Sequence, residues 1–190
     1  MKRKRNRRSV FVFVMVIIAM VIFINKFTPS SDLKDDAFPT ETHPVVKESM
    51  NQLIKQAADK GIVVVITDGF RSAEDQDRLY EKGRTAGGTI VTNAKGGQSF
   101  HNYGLAIDFA LKNAAGDVIW DMQYDGNKNG KSDWSEVVEM AKALQFTWGG
   151  DWPQFKDYPH LQMDFGLTIA DLQNGKLPDD TLTAGPNPGE

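Results

Sequence analysis

The amino-acid sequence predicts an α+β fold, a small antiparallel sheet with flanking helices, and three observations predict it. Apolar residues recur at three- and four-residue spacing in some segments and form short β-branched runs in others. The two kinds alternate unevenly, with no βαβ repeat and no glycine-rich phosphate loop. Two strand-like segments also flank a turn at Asn113 to Asp117, which suits antiparallel pairing.

The N-terminus stands apart from that domain. Lys2, Arg3, Lys4, Arg5, Arg7 and Arg8 precede an apolar run of fifteen residues, Val10 to Ile24. As a helix this run covers about 22 Å, short of a ~30 Å hydrocarbon core unless its flanks are drawn in and the basic side chains snorkel. Residues 1–27 therefore read as a signal peptide or a signal anchor. No Ala-x-Ala-like cleavage site follows, which favours the uncleaved anchor, a single pass with the domain on the extracytoplasmic side; secretion to the wall is the alternative. Residues 28–43, rich in Ser, Thr, Asp and Pro, read as a linker that extends at most about 55 Å.

Residues 44–178 read as the folded domain. Pro44 suits the first turn of a helix with Val46, Met50, Leu53, Ile54 and Ala57 on one face, and Gly61 ends it. Ile62 to Thr67 is a β-branched run that delivers Asp68, Gly69, Phe70 and Arg71 to a strand end. Ser72 caps a helix through about Lys82, with Glu74 and Asp75 in its first turn. Gly83 to Gly97 is a loop with at most a short extended stretch at Thr89 to Thr92. Leu105 to Leu111 and Val118 to Trp120 read as strands, Asp133 to Leu144 as a helix, and Phe146 to Trp148 and His160 to Met163 as strands. Residues 179–190 read as a flexible Pro/Gly-rich tail.

Composition narrows the function. In 190 residues, 41% hydrophobic and 10% aromatic content can build a core, and the absence of cysteine leaves a metal only nitrogen and oxygen ligands. Seven basic and no acidic residues fall in the first thirty, leaving 15 basic against 25 acidic, a net charge of about −10, which argues against nucleic acid as a partner. Nothing in the sequence points to a protein partner.

The chemistry concentrates in SFHNYGLAIDF, Ser99 to Phe109, and KDYPHLQM, Lys156 to Met163. His101, Asp108 and His160 supply the two imidazoles and one carboxylate that a catalytic zinc ion takes while keeping a position for water. Asp157, three residues before the last histidine, is placed to deprotonate that water. The bland alternatives are that His101 caps a turn, that Asp108 is a solvated strand residue and that Asp157 turns the chain before Pro159. Arg71, always charged, suits a developing oxyanion; as a surface residue it would pair with Asp68 or Glu74. Trp148 to Trp152 shape a pocket wall or belong to the core, and His43 reads as a helix-entry residue.

SFHNYGLAIDF resembles the SxHxxGxAxD signature of the D-Ala-D-Ala-type zinc peptidases, the VanX and VanY relatives. WGGDWPQFKDYPHLQM, GFRS, QDRLYEKGR and IVTNAKGG are similar to their L-alanyl-D-glutamate endopeptidase branch, so the resemblance runs from about residue 43 to residue 165. It implies a D-Ala-D-Ala-peptidase-like, hedgehog-like fold and one Zn2+ per chain on His101, Asp108 and His160. It also implies Asp157 as general base, Arg71 at the substrate carbonyl, and Ser99 and Gln76 near the substrate. The activity implied is hydrolysis of the L-alanyl-D-glutamate bond of peptidoglycan stem peptides; D-Ala-D-Ala carboxypeptidase activity and a non-catalytic wall-binding protein are the alternatives. A serine hydrolase built on Ser99 is remote, since no GxSxG turn surrounds the serine.

A second pattern, DGNKNGKSDWSE, places Asp125, Asn127, Asn129, the Lys131 backbone, Asp133 and Glu136 as a calcium loop would, with Gly130 at its sharp turn. The competing reading is an Asn/Gly turn before a helix whose Asp133 and Glu136 form a capping-box-like pair.

Overall fold

A computed structural model describes residues 39–179. The basic and apolar N-terminal segment, most of the predicted linker and the tail from residue 180 lie outside the described residues. Among those described, no helix is long and apolar enough to cross a membrane.

Helix α1, Pro44–Asp59, starts as its sequence prescribes: Pro44 sits in the first turn and His43 Nδ1 accepts the Val45 amide at 3.3 Å. Its buried face is Val45, Val46, Ser49, Leu53 and Ala57. Met50 and Ile54, expected on that face, are only partly buried, because the stripe runs one residue earlier through Ser49. Gly61, at φ 77°, then turns the chain into strand β1, Val63–Asp68. Ser72 caps helix α2, Ala73–Glu81, by accepting the Asp75 amide at 3.0 Å.

Strands β2 (Ala106–Lys112), β3 (Val118–Ile119), β4 (Thr147–Trp148) and β5 (His160–Gln162) complete an antiparallel sheet in the order β1-β2-β5-β4, with β3 pairing the far end of β2. Helix α3, Asp133–Ala143, is capped by Ser132, and helix α4 is the five-residue Ile169–Gln173. The mixed α/β architecture with a small antiparallel sheet is thus the one the sequence predicts. No strand forms at Thr89 to Thr92. Helix α4 and two 3-10 turns, Phe100–Tyr103 and Gly149–Asp151, are too short for a periodic pattern to announce them.

Helices α1 and α3 cover one face of the sheet. Alternation along β2 sends Ile107, Phe109 and Leu111 into that core, where the Phe109 ring meets Trp134 of α3 at 4.6 Å between centroids. Each such side chain contributes roughly 1.5–3 kcal/mol by leaving water. The same alternation turns Asp108 to the opposite face. Strand β1 pairs with β2 regularly as far as Ile66 opposite Phe109, then bulges, so that Asp68 comes to stand opposite Asp108. Two carboxylates placed across from each other repel, so a cation is needed between them.

Candidate metal centre

That cation is Arg71. Its Nε donates to Asp68 Oδ2 at 3.1 Å, its Nη2 contacts the same oxygen, and Nη2 lies 3.7 Å from Asp108 Oδ2. Nη1 donates to Gln76 Oε1 at 2.7 Å. The bonds to Asp68 and Gln76 leave one N–H on each terminal nitrogen of the guanidinium. The backbone of Arg71 is held as firmly: its N–H donates to the His101 carbonyl at 3.1 Å and its carbonyl accepts from Asn102 Nδ2 at 2.9 Å. Asn102 is fully buried, and its Oδ1 accepts the Gly97 amide at 2.9 Å, so one side chain pins the 3-10 turn to the strand end.

His101 arrives on that turn. Ser99 caps it, accepting the His101 amide at 3.4 Å, and Gly104 at φ 68° ends it. Where Gly104 stands, a Cβ would lie 2.3 Å from the Glu41 carbonyl oxygen, so only glycine lets the chain pass into β2. His101 Nδ1 lies 2.7 Å from the Gly69 carbonyl, to which it can only donate, leaving a lone pair on Nε2. His160, on β5, pairs with Asp108 in the ladder. Its Nε2 lies 3.0 Å from Gln162 Oε1, two residues on along the same strand face, and a proton donated there leaves the lone pair on Nδ1.

The two free nitrogens and Asp108 Oδ1 converge: His101 Nε2 to His160 Nδ1 is 3.2 Å, and Oδ1 is 3.3 Å from the first and 3.4 Å from the second. Donors about 2.0–2.1 Å from a tetrahedral centre stand roughly 3.3–3.4 Å apart, which is this spacing. Asp108 Oδ1 is buried without a hydrogen-bond partner, and an imidazole that donates through its other nitrogen turns a lone pair toward it. Three lone pairs aimed at one point are repulsive unless a cation lies there, so the donor set fits a metal ion. Among the described residues it is the only group of three or more His, Asp or Glu side chains whose donor atoms gather within 4.8 Å.

A cavity of about 770 Å³ opens on this group, and Arg71, Ser99, Asp157, Trp152 and Phe155 also line it. Burial raises the Asp157 carboxyl above its ordinary value, against a smaller lowering by His160. Gly149 sets the place of Asp157: its carbonyl accepts the Asp157 amide at 3.2 Å, and a Cβ on it would lie 2.5 Å from the Asp157 carbonyl oxygen and 3.1 Å from the Cβ of His160. Gln76 stands behind the cavity rather than in it. It is 1% exposed, with Oε1 on Arg71 and Nε2 donating to the Ala94 carbonyl at 2.8 Å. Asn102 and Gln162 are site residues that sequence reasoning missed, and Gly69 and Gly149, expected at a strand end and in a pocket wall, act through a carbonyl and through a missing side chain. Only Gln162 carried a signal, its place two residues after a histidine on a strand.

The second pattern behaves otherwise. Asp125 accepts the amides of Asn129 at 3.1 Å and Gly130 at 2.9 Å, and Asn129 Oδ1 accepts that of Lys131 at 2.8 Å. Glu136 accepts Asn127 Nδ2 at 3.1 Å and Asn129 Nδ2 at 2.8 Å, and it pairs with Lys60 at 3.4 Å. The capping-pair reading fails as well: Ser132, not Asp133, is the N-cap, and Asp133 Oδ2 accepts the Gly126 amide at 3.0 Å. Asp133 Oδ1 is buried without a partner.

A family model described as D-alanyl-D-alanine carboxypeptidase matches residues 92–163. The chain is 63% identical over 131 residues to the peptidoglycan L-alanyl-D-glutamate endopeptidase CwlK of Bacillus subtilis (strain 168), covering 69% of this chain and 78% of that protein. The chain belongs to the D-Ala-D-Ala-type peptidase family, in its L-alanyl-D-glutamate endopeptidase branch. The L-alanyl-D-glutamate peptidase of Listeria phage A118 is 33% identical over 119 residues, 63% of this chain and 37% of that protein. Among solved structures, the Serratia marcescens L-Ala D-Glu endopeptidase ChiX matches with a TM-score of 0.38 and 20% identity, covering 70% of this chain and 96% of that one. Within the family's matched stretch lie His101, Asp108, Asp157, His160 and Ser99; Arg71 and Gln76 precede it.

Proposed function

We propose that this member of the family is a zinc-dependent peptidase that hydrolyses the L-alanyl-D-glutamate bond of peptidoglycan stem peptides. One observation carries the metal reading: Asp108 Oδ1, buried and without a donor, faces two imidazole nitrogens whose partner nitrogens are already engaged. His101, Asp108 and His160 would hold the ion, and nitrogen and oxygen donors at tetrahedral spacing suit zinc.

Zinc, when bound, supplies Lewis acidity toward the scissile carbonyl and lowers the pKa of water at its open position. Asp157 takes the proton of the attacking water at its carboxylate and passes it to the leaving amine as the C–N bond breaks. Its raised pKa suits it to both halves of that transfer. Arg71 lends its remaining N–H groups to the carbonyl oxygen as charge develops there. Ser99 holds the His101 turn and lines the cavity, and Gln76 fixes the guanidinium of Arg71.

The test is digestion of purified peptidoglycan with and without zinc, followed by end-group analysis. New D-glutamate N-termini are expected. Released D-alanine would favour the carboxypeptidase activity for which the matching family model is described. Binding without any cleavage would leave a wall-binding protein.

The same reading places residues 44–178 as the catalytic domain, outside the cytoplasm on an uncleaved N-terminal anchor. It is supported by the basic cluster Lys2 to Arg8 ahead of the Val10 to Ile24 run and by a substrate that lies outside the membrane. Protease shaving of intact cells tests it: loss of the domain with retention of a membrane-bound stub is expected, and a shorter protein free in the medium would show cleavage instead. A calcium ion in the Asp125 to Glu136 loop is left out of this reading, because Lys60 and two asparagine amides already occupy Glu136.

A further inference from the structure

The walls of the cavity come from opposite ends of the sheet. Arg71, Lys82 and Val91 follow β1, whereas Trp152, Phe155 and Asp157 lie between β4 and β5. The second wall is aromatic. The Trp152 ring lies 5.1 Å from that of His160 between centroids, beside the reacting centre, and Phe155 farther along the same loop keeps 51% of its surface exposed. A large ring left bare at the mouth of a polar cavity is a contact that the protein itself does not complete.

The substrate's own covalent structure says what meets it, given the L-alanyl-D-glutamate reading on which this inference rests. L-Alanine is the first residue of the stem and is joined to the lactyl group of a muramic acid sugar. Two residue lengths span about 7 Å, so with the alanyl carbonyl at the metal centre the sugar ring cannot be far from the rim. Sugar rings carry C–H faces with polar groups at their edges, and such faces lie flat on aromatic rings. The opposite rim offers aliphatic Val91, which lacks a matching flat surface.

We propose that Trp152 and Phe155 form a platform for the muramic acid sugar, so that the chain prefers stem peptides still attached to glycan over free peptides of the same sequence. Trp152 supports the ring nearest the reacting carbonyl, and Phe155 extends the platform outward. Aromatic anchors at the centre of a contact carry a disproportionate share of its affinity.

The test measures kcat/KM of the zinc-loaded full chain on a muramyl-linked stem peptide and on the free peptide of identical sequence. Wild type should prefer the linked substrate by about tenfold or more. Phe155→Ala, and Phe155→Leu which keeps bulk without a ring, should bring the ratio to within about twofold, while Phe155→Trp retains the preference. Val91→Ala on the opposite rim should leave the ratio where it was. Bound zinc per chain serves as the check that each variant is folded. A wild type indifferent to the sugar, or a Phe155→Ala variant that keeps the full preference, overturns the platform. A wild type that cuts neither substrate would instead overturn the peptidase reading itself.

Discussion

Two stretches of this chain carry metal-ligand patterns, and the fold treats them in opposite ways. At His101, Asp108 and His160 three donor atoms converge within 3.4 Å of one another, and the other nitrogen of each imidazole is already engaged. At Asp125 to Glu136 the would-be ligands Asp125, Asn129 and Glu136 are turned onto the loop's own amides and onto Lys60, and of Asp133 only Oδ1 is left over. A motif supplies residue types, but a metal needs lone pairs left over once the chain has satisfied its own N–H groups.

Breaking the first region should have the largest effect. His160→Ala is expected to abolish stoichiometric zinc and to lower kcat/KM by at least about 10³-fold, whereas Asp157→Ala should lose about 10²- to 10⁴-fold in rate with zinc retained. Metal analysis of both purified variants checks the pair. If Asp157→Ala kept full activity, another group would have to be the base.

A subtler change sharpens the same region. Gln162→Leu removes the acceptor that directs the His160 proton to Nε2, and should weaken zinc binding about 10- to 100-fold in a chelator competition. Gln162→Glu keeps the acceptor and should restore most of that affinity. Equal affinities for all three proteins would show that the His160 tautomer is set elsewhere.

The smallest effects belong to the second region. An ion at 100 times its Kd would add about 2.7 kcal/mol, which is several degrees in Tm, and calcium is expected to move Tm by less than about 1 °C. A shift of several degrees would restore the calcium reading and give the unpartnered Asp133 Oδ1 its ligand. Burial raises the Glu136 carboxyl and the two amides and Lys60 lower it, leaving it below its ordinary value. A folded-state pKa below the unfolded one stabilises above the unfolded value, and the benefit is lost as pH falls through the folded one. Glu136→Gln should therefore cost about 1 kcal/mol at neutral pH and little in acid, as read by denaturant titration.

What the sequence made legible was periodicity and side-chain identity. The apolar stripe of α1, the β-branched run of β1 and the Ser72 cap were all readable, because each depends on neighbours within one or two turns. The residues His101, Asp108, His160, Asp157 and Arg71, which meet in one cavity, were found through their types and the resemblance. Their supports were not. The Gly69 carbonyl that orients His101 is backbone, which every residue has, and Gly149 matters for an atom it lacks. Gln76, expected near the substrate, is instead buried behind Arg71, a distinction its position in the sequence does not contain.

The strand bulge before Asp68 decides which side chain faces the reacting centre. In an unbroken register of the same length Thr67 would stand opposite Asp108, and Asp68 would turn to the far face of the sheet, taking from Arg71 the carboxylate that anchors it. One inserted residue thus exchanges a hydroxyl for the acid that steers the guanidinium.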